Sequence, residues 1–187
     1  MSLAIAILAA GGATRFGGGK LDADCAGKPL GAWALDAALA VPHQRLAVVV
    51  GVSVPEFAGG CEVLINERAA GGLGTSAALA ARWAEGSDRL LIVLADMPLV
   101  SSETLRKLAA AGGPAAVGYP GGKPGAPACF PATLFPALAA LGGDSGAAQV
   151  LRGLPNVTLI ETPADELRDV DRPADLAEVT AILNAKA

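Results

Sequence analysis

The stretch LAIAILAAGGATRFGGGK, residues 3–20, joins a continuous apolar run to a glycine-rich loop. The run Leu3–Ala9 is typical of a central strand that is buried on both faces of a parallel sheet. The ten residues that follow position 10 contain five glycines together with Arg15 and Lys20. Closely spaced glycines let backbone N–H groups approach an anion without a Cβ in the way, and the two cations add positive charge. The stretch therefore predicts a central strand that ends at a phosphate-binding loop.

The rest of the chain alternates short apolar runs with alanine-rich segments of helical composition. We predict further strands over 46–50, 62–65, 89–95, 115–119 and 157–161, and helices over 30–40, 74–85, 102–111, 132–141, 145–152 and 173–185. The Gly- and Pro-rich segment 119–131 is predicted to be a loop that leads into a short strand at 128–130. This alternation indicates an α/β fold in one domain, 1–187, with a mostly parallel sheet covered by helices on both faces.

Composition and charge argue against several functional classes. The formal net charge is -4, and the 14 Lys and Arg residues form no basic run, so nucleic acid is not an expected partner. No apolar run reaches the about 18 residues that a membrane span requires, so no membrane partner is expected. The three cysteines are far apart and lack C-x-x-C spacing, which indicates neither a zinc site nor a disulfide framework and fits a reducing cytoplasm.

Acidic residues follow predicted strands at two places. Asp96 directly follows the apolar run 89–95, and open α/β sheets bind ligands beyond the carboxyl ends of their strands. A carboxylate that directly follows a buried apolar strand needs a counter-charge or a metal ion. An Asp before x-Pro is, however, also a common turn-capping residue. Asp169 and Asp171 alternate with period two, so both can face one side of an extended segment, as they also do on a solvated strand edge. The sequence leaves open which of the two joins Asp96 at a cation.

Four blocks of the chain, taken in order, resemble a known family. They are LAAGGATRFGGGK at residues 8–20, LADMPLV at 94–100, GDSGAA at 143–148 and DVDRPADL at 169–176. Together they resemble the MobA-like nucleotidyltransferases, and most closely their molybdenum cofactor cytidylyltransferase branch. The resemblance implies a three-layer, Rossmann-like nucleotidyltransferase fold. It also implies transfer of NMP from an NTP to a phosphate of the acceptor, with release of pyrophosphate. Ala95 before Asp96, and aspartates at both 169 and 171, favour CTP as the donor.

The resemblance also implies roles for individual residues. It implies catalytic roles for Arg15, Lys20 and Asp96, and a Mg²⁺ ion held by Asp96 and Asp171. The acceptor it implies is molybdopterin or the molybdenum cofactor, with a molybdoenzyme as the possible recipient of the product. The residues for which it implies nucleotide binding are Leu8, Ala9, Ala10, Gly11, Gly12, Arg15, Lys20, Asn66, Gly71, Gly72, Thr75 and Ser76.

Other functions stay open because the sequence departs from the family at the acceptor side. Where the cytidylyltransferase branch often has Gly-His-Pro, this chain has Gly125, Ala126 and Pro127, so the imidazole is missing. A guanylyltransferase acting on the same cofactor, or a sugar- or alditol-phosphate nucleotidyltransferase, would use the same loop and metal. A noncatalytic nucleotide-binding chaperone for a molybdoenzyme is a further alternative. His43, the only histidine, lies between predicted elements and is expected to be a surface residue.

Overall fold

A computed structural model describes residues 1–11 and 16–186 of the chain. Nine strands lie within these residues: β1 (Leu3–Ala9), β2 (Asp24–Cys25), β3 (Lys28–Pro29), β4 (Arg45–Val50), β5 (Glu62–Ile65), β6 (Arg89–Leu94), β7 (Ala115–Tyr119), β8 (Lys123–Pro131) and β9 (Thr158–Ile160). Seven of them form the central sheet in the order β5-β4-β1-β6-β8-β7-β9, whereas β2 and β3 form a separate antiparallel pair. As predicted, β1 lies inside the sheet.

The central sheet is mostly parallel, as the alternation of strands and helices predicts. β1 pairs in parallel with both β4 and β6, and β4 pairs in parallel with β5. β8 is antiparallel to its neighbours β6 and β7, and β7 is parallel to β9. β8 is therefore the one reversed strand of the described sheet, and the carboxyl ends of the other six reach the same edge. We call this edge the site edge.

Helices cover both faces of the sheet and give the expected three layers. The five α-helices of the described chain are α1 (Leu30–Leu39), α2 (Leu73–Trp83), α3 (Ser102–Ala110), α4 (Phe135–Ala139) and α5 (Pro173–Lys186). One core packs α1 and α3 against one face, and a second core packs α2 and α4 against the other. Because side chains alternate along a strand, β1 contributes Ile5 and Ile7 to the first core, and Ala4 and Ala6 to the second.

The remaining helix, α5, packs against the β2–β3 pair through Val179 and Cys25, in a smaller core that also buries Val170. This packing attaches the end of the chain beside the site edge. Within the described residues, no helix is both long and apolar enough to cross a membrane.

The prediction of a loop over most of 119–131 is wrong. β8 occupies residues 123–131 of this segment and pairs with β6 on one side and β7 on the other. Glycine and proline are tolerated here because the ladder with β7 shifts register: Ala116 pairs with Ala128, whereas Val117 pairs with Gly125. Ala126 and Pro127 lie between these pairs as a bulge, where a residue without an N–H loses no ladder bond.

Two helices predicted in the second half of the chain are shorter than expected. The segment 132–141 contains a 3₁₀ turn, Ala132–Leu134, followed by α4, and 145–152 contains only the 3₁₀ helix Ala147–Leu151. Gly142, Gly143 and Gly146 border these elements, and glycine disfavours helix continuation by about 1 kcal/mol relative to alanine. The composition of these segments is helical, but their glycines limit each helix to one or two turns.

Candidate active site

Three neighbouring parallel strands, β4, β1 and β6, end at the site edge. β1 leads into Ala10 and Gly11, β4 leads into Gly51, and β6 leads through Ala95 into Asp96. Hydrogen bonds continue the ladder beyond the strands: Ala95 N donates to Leu8 O at 3.0 Å, and Asn66 N donates to Val50 O at 2.8 Å. The loops that leave these strands therefore begin side by side, as the carboxyl ends of a parallel sheet require.

A cleft of about 390 Å³ opens between the loops after β1 and β4. This volume lies within the usual range of small-molecule sites. Backbone and small side chains form much of its wall, so a ligand can approach backbone N–H and C=O groups closely. The residues that line the cleft are Ala9, Ala10, Gly11, Gly18, Gly19, Lys20, Leu21, Asp22, Gly51, Val52, Ser53, Pro55, Ala69 and Ala70.

The glycine loop returns to the sheet through backbone conformations that favour glycine. Gly17, Gly18 and Gly19 have φ angles of 92°, 98° and 61°, in the left-handed region that other residues rarely adopt. The turn that follows is a 3₁₀ helix, Lys20–Asp22, which packs against α1. The three glycines therefore bring Lys20 back beneath the cleft, where its side chain is only 10% exposed.

Lys20 contacts two of the acidic residues singled out from the sequence. Its Nζ donates a hydrogen bond to Oδ2 of Asp96 at 2.8 Å and lies 3.6 Å from Oδ1 of Asp171. The side chain of Asp96 is 27% exposed and that of Asp171 is 47% exposed, so the cluster faces solvent on the carboxylate side. An ion pair with a largely buried partner is screened less by salt than an exposed pair. Lys20, Asp96 and Asp171 thus form one charged group, which we call the acidic cluster.

The segment that carries Asp171 is attached to the end of β6. Val170 N donates to the backbone O of Asp96 at 2.9 Å, and the side chain of Val170 is fully buried. The carboxylate of Asp175, at the start of α5, accepts hydrogen bonds from the backbone N of Asp171 at 3.0 Å and of Arg172 at 2.7 Å. These contacts fix the backbone of the DVDRP block. Their consequence is that Asp171 lies beside Asp96 although 75 residues separate them in the chain.

Asp169 contributes a third negative charge near the acidic cluster. Partial removal of its carboxyl from water raises its pKa above the ordinary value, and the negative charges of Asp171 and Asp96 raise the pKa further. Of the two aspartates in the DVDRP block, Asp171 is the one within ion-pair distance of Lys20. The structure therefore places Asp171 in contact with Lys20. Its role as the second metal ligand stays a prediction.

The cluster offers oxygen ligands suited to a hard divalent cation. Within residues 1–11 and 16–186, no group of three or more His, Cys, Asp or Glu side chains is arranged to hold a metal ion. Mg²⁺ commonly uses only one or two protein carboxylates and takes its other ligands from water and substrate phosphates. Asp96 and Asp171 fit a cation that a triphosphate helps to bind, rather than one that the protein encloses alone.

Asn66, Thr75 and Ser76 form a buried hydrogen-bond network behind the cleft. Nδ2 of Asn66 donates to Oγ1 of Thr75 and to Oγ of Ser76, both at 2.9 Å, and its Oδ1 accepts from Arg68 N at 3.0 Å. Both amide hydrogens of this side chain, which is 5% exposed as a residue, are thereby used within the protein. The network fastens the loop 66–72 to the start of α2.

Gly71 and Gly72 belong to the same loop and bring it close to the segment around Gly143. Gly72 has a φ of 94°, and a Cβ at this position would lie 2.3 Å from the backbone O of Gly143. Gly74 N donates to that same oxygen at 3.0 Å. Only glycine fits at residue 72, so two glycine-rich blocks that are distant in sequence pack against each other here.

The structure brings some of the predicted site residues to the cleft and places others behind it. Ala9, Ala10, Gly11 and Lys20 line the cleft. Leu8 is buried in the core and approaches the site only through its backbone. Asp96 and Asp171 lie beside the cleft, in contact with Lys20, and are not part of its lining. The other predicted residues that lie outside the cleft lining are Leu8, Asn66, Gly71, Gly72, Thr75 and Ser76. Gly12 and Arg15 lie outside the described residues.

Sequence reasoning missed the part of the cleft contributed by β4 and the loop after β5. Gly51, Val52 and Ser53 follow β4, and Ala69 and Ala70 lie in the loop after β5. The available signal was Gly51 at the end of a β-branched run, which repeats the pattern of a strand ending at glycine seen after β1. What the sequence could not provide was the sheet order, which sets β4 directly beside β1.

The comparison with protein families identifies the class of this chain. A model of the MobA-like NTP transferase domain matches residues 5–162. The chain belongs to this family. MobA-like NTP transferases are nucleotidyltransferases as a class, so the family resemblance and the fold expected from the sequence are both confirmed. The match does not separate the branches of the family, and no curated protein sequence matches the chain.

Solved structures share the fold along the whole chain. A nucleotidyl transferase from Methanothermobacter has a TM-score of 0.82 at 21% identity, with 100% of this chain and 99% of that chain covered. Rv0371c from Mycobacterium tuberculosis in complex with manganese has a TM-score of 0.75 at 23% identity and covers 97% and 99%. A CMP:2-keto-3-deoxy-manno-octonic acid synthetase in complex with CTP has a TM-score of 0.75 at 16% identity and covers 100% of both chains. At these identities the likeness concerns the fold alone.

Proposed function

We propose that this protein transfers CMP from CTP to the phosphate of molybdopterin or its molybdenum cofactor, with release of pyrophosphate. The observation that carries the proposal is the acidic cluster. Lys20, at the end of the glycine loop, contacts Asp96 and Asp171 at the side of the cleft. A cation for phosphates and two carboxylates for a metal ion stand together at the site edge. Nucleotidyl transfer needs this combination.

The donor nucleotide would occupy the cleft between the loops after β1 and β4. Its phosphates would face the backbone of Ala10 and Gly11, and the resemblance adds Gly12, Arg15 and Lys20 as phosphate ligands. Asn66, Thr75 and Ser76 would act indirectly, since their network holds the loop that carries Ala69 and Ala70. CTP is favoured by the branch resemblance, and a structure of this fold that holds CTP is consistent with it.

A divalent ion, Mg²⁺ in this proposal, would be held by Asp96 and Asp171. Bound there with the triphosphate, it would supply a Lewis acid and a template that orients the reacting groups. A structural relative in complex with manganese supports a divalent ion in this fold. Lys20 has a second role in the same place, because its ammonium group neutralises Asp96 and Asp171 and can also contact phosphate oxygens.

The reaction requires the protein to align the reacting groups and to neutralise phosphate charge, and it requires no general base. An oxygen of the acceptor phosphate attacks the α-phosphorus of CTP, a new P–O bond forms, and the bond to pyrophosphate breaks. The attacking phosphate is already anionic, so no proton has to be removed. The only histidine, His43, is not needed as a base in this scheme. It lies just after α1, at the edge opposite to the site edge, with its Nδ1 2.6 Å from Val41 O.

A substrate matrix tests the proposal directly. CTP, GTP, ATP and UTP are each combined with Mg²⁺ and one acceptor, which is molybdopterin, ribitol 5-phosphate or a sugar phosphate, and pyrophosphate release is measured. We expect the fastest release with CTP and molybdopterin. Release with GTP would instead indicate a guanylyltransferase, and release only with ribitol 5-phosphate or a sugar phosphate would indicate a different acceptor. Mg²⁺-dependent CTP binding without pyrophosphate release for any acceptor would contradict the enzymatic proposal and favour a nucleotide-binding chaperone.

A further inference from the structure

The ammonium group of Lys20 contacts both carboxylates that the proposed function assigns to a metal ion. Its Nζ lies 2.8 Å from Oδ2 of Asp96 and 3.6 Å from Oδ1 of Asp171. The side chain of Lys20 is 10% exposed, whereas those of Asp96 and Asp171 are 27% and 47% exposed. Lys20 therefore supplies, from within the protein, the positive charge that a cation shared by Asp96 and Asp171 would supply.

A divalent ion and this ammonium group compete for the same carboxylates. Mg²⁺ binds oxygen ligands at about 2.0–2.1 Å, so an ion held by Asp96 and Asp171 would lie within a few ångströms of Nζ. Like charges at such a separation repel strongly where burial limits screening by water and salt. The observed position of Lys20 therefore disfavours binding of a divalent ion by Asp96 and Asp171.

Backbone hydrogen bonds hold both sides of this ion pair in place. Lys20 begins a 3₁₀ turn in which Ala23 N donates to Lys20 O at 3.3 Å. Oδ1 of Asp22, in the same turn, accepts from Glu56 N at 2.8 Å, which attaches the turn to the segment after β4. The carboxylate side is held by the hydrogen bonds from the DVDRP block to the end of β6 and to α5. A rearrangement of the cluster is therefore expected in the side chain of Lys20, whose four-carbon stem is flexible.

The same lysine also lines the cleft in which the proposed function places the triphosphate. Phosphate oxygens offer an ammonium group an alternative set of charged hydrogen-bond acceptors. Contact with them would draw the ammonium group of Lys20 away from Asp96 and Asp171. The two carboxylates and the phosphates would then be available together to a divalent ion, which is the way Mg²⁺ is usually bound in nucleotide sites.

We propose that Lys20 blocks the metal site until the nucleotide binds, so that the protein takes up a divalent ion with the triphosphate and not before it. The proposal rests on the function proposed above, since it takes Asp96 and Asp171 as the metal ligands. It goes beyond that function by assigning to one side chain the coupling between nucleotide and metal binding. In the protein without nucleotide, the affinity for divalent ions should consequently be low.

Binding of Mn²⁺ without nucleotide tests the proposal independently of turnover, with electron paramagnetic resonance as the measurement. Lys20→Met, which keeps the stem and removes the charge, should bind Mn²⁺ about tenfold more tightly than wild type, a usual size for coupling between sites. Lys20→Arg, which keeps a cation at the carboxylates, should show no such gain. Addition of Asp96→Asn to Lys20→Met should remove the gain, because the ion would lose a ligand.

Two further measurements separate the position of the ammonium group from net charge. Arg172→Met removes a positive charge next to Asp171 in the sequence, at an exposed position. Since exposed charges are screened, its Mn²⁺ affinity should stay within about twofold of wild type. With a saturating nonhydrolysable CTP analogue, wild type and Lys20→Met should differ in Mn²⁺ affinity by less than about threefold, because Lys20 has then left the carboxylates. Circular dichroism confirms that each variant is folded.

The outcomes separate this inference from the proposed function. Equal or weaker Mn²⁺ binding by folded Lys20→Met without nucleotide would overturn the inference, and so would an equal gain in Lys20→Arg or Arg172→Met. The proposed function would survive these results, because it requires only that Asp96 and Asp171 bind the ion in the complex with nucleotide. A gain that persists after addition of Asp96→Asn would place the ion elsewhere and overturn the proposed metal site together with the inference.

Discussion

Two largely buried cations, Lys20 and Arg89, lie at opposite edges of the same sheet and differ in the groups that they contact. Lys20, at the site edge, contacts the carboxylates of Asp96 and Asp171. Arg89 begins β6 at the other edge and is 4% exposed. Its guanidinium donates to three backbone carbonyls at the end of α3, those of Ala111, of Gly113 at 2.8 Å and of Leu108 at 3.5 Å.

Under the proposed function, the difference separates a structural charge from a catalytic one. Arg89 supplies donors to carbonyls at and just after the end of α3, and its positive charge suits the C-terminus of a helix. Its partners are backbone atoms that cannot leave. Lys20 instead contacts side chains that keep acceptor capacity and face solvent, so phosphates and a metal ion can join them. Substitutions at the two edges should therefore damage different properties of the protein.

The largest effect is expected for Asp96→Asn at the site edge. Loss of one metal ligand and its charge removes several kcal/mol of transition-state stabilisation, so pyrophosphate release should fall about a thousandfold or more. The midpoint of thermal unfolding should stay within a few degrees of wild type. The matched control is Asp88→Asn at the opposite edge, where an exposed carboxylate accepts from Ser2. A control that lost as much activity as Asp96→Asn would remove the distinction between the edges.

Lys20→Met should follow, with a fall in kcat of about a hundredfold to a thousandfold, the usual loss for one charge-stabilising donor in an active site. The methionine keeps the length and apolar stem of the side chain. Lys107→Met is the control, since this lysine pairs with Glu103 on the exposed surface of α3. Equal rates for Lys20→Met and Lys107→Met would show that Lys20 has no part in the chemistry.

Arg89→Met should reduce stability rather than catalysis. Buried carbonyls that lose their donors cost about 1–3 kcal/mol each, lessened where water can reach them, so we expect the free energy of unfolding to fall by about 3 kcal/mol. Urea denaturation measures this fall, and kcat of the folded variant should remain within about twofold. Arg106→Met, which removes a guanidinium that is bonded to Ala40 O at 3.3 Å in an exposed position, should cost less than about 0.5 kcal/mol.

Asn66→Ala tests the hydrogen-bond network behind the cleft and should reduce both stability and substrate binding, each by a smaller amount. The loss of a buried amide leaves Thr75 and Ser76 short of a donor, which should lower the free energy of unfolding by about 1–3 kcal/mol. A looser 66–72 loop should raise KM for the nucleotide several-fold with little change in kcat. Asn156→Ala, at an exposed position, is the control. A lower kcat with unchanged KM would instead indicate direct participation in the reaction.

The smallest effect expected is a pH dependence of the free energy of unfolding, caused by Cys129 near Arg89. Burial raises the pKa of the Cys129 thiol, and the nearby charge of Arg89 opposes this only in part. Below the thiol pKa of about 8.5 in the unfolded chain, both states keep the proton and stability is unaffected. Above it, the unfolded state loses a proton that the folded state retains, so the free energy of unfolding should fall by up to about 1.4 kcal/mol per pH unit.

Urea denaturation between pH 7 and pH 10 measures this slope. Cys129→Ala should flatten this slope. Cys61→Ala, at the partly exposed position immediately before β5 in the sequence, should change the slope less. Equal slopes in wild type and Cys129→Ala would show that Cys129 does not control the alkaline loss of stability.

The sequence predicted the parallel half of the sheet better than the rest because its signals are local. β1 is an uninterrupted apolar run and β6 is apolar after Arg89. The residues that follow them also carry a signal, the glycines from Gly11 after β1 and Asp96 after β6. β8 could not be predicted in the same way, because the strand contains Pro124, Gly125 and Pro127. Its pairing depends on a register shift and on neighbours that are distant in the chain.

The candidate site shows the same division. Lys20 and Asp96 could be chosen from the sequence because each follows a strong strand or glycine signal. The contact between Asp171 and Lys20 could not be predicted from the sequence, because it depends on the hydrogen bonds that fix the DVDRP block to the end of β6 and to α5.

Binding of Mn²⁺ to wild type and to Asp96→Asn, followed by electron paramagnetic resonance with and without a nonhydrolysable CTP analogue, tests the central claim most directly. If the acidic cluster is the metal and triphosphate half of the site, the analogue should strengthen Mn²⁺ binding to wild type. Asp96→Asn should then weaken binding in the ternary complex at least tenfold, and Asp88→Asn should leave it unchanged. Equal Mn²⁺ affinity in wild type and Asp96→Asn, with the analogue bound to both, would contradict the account.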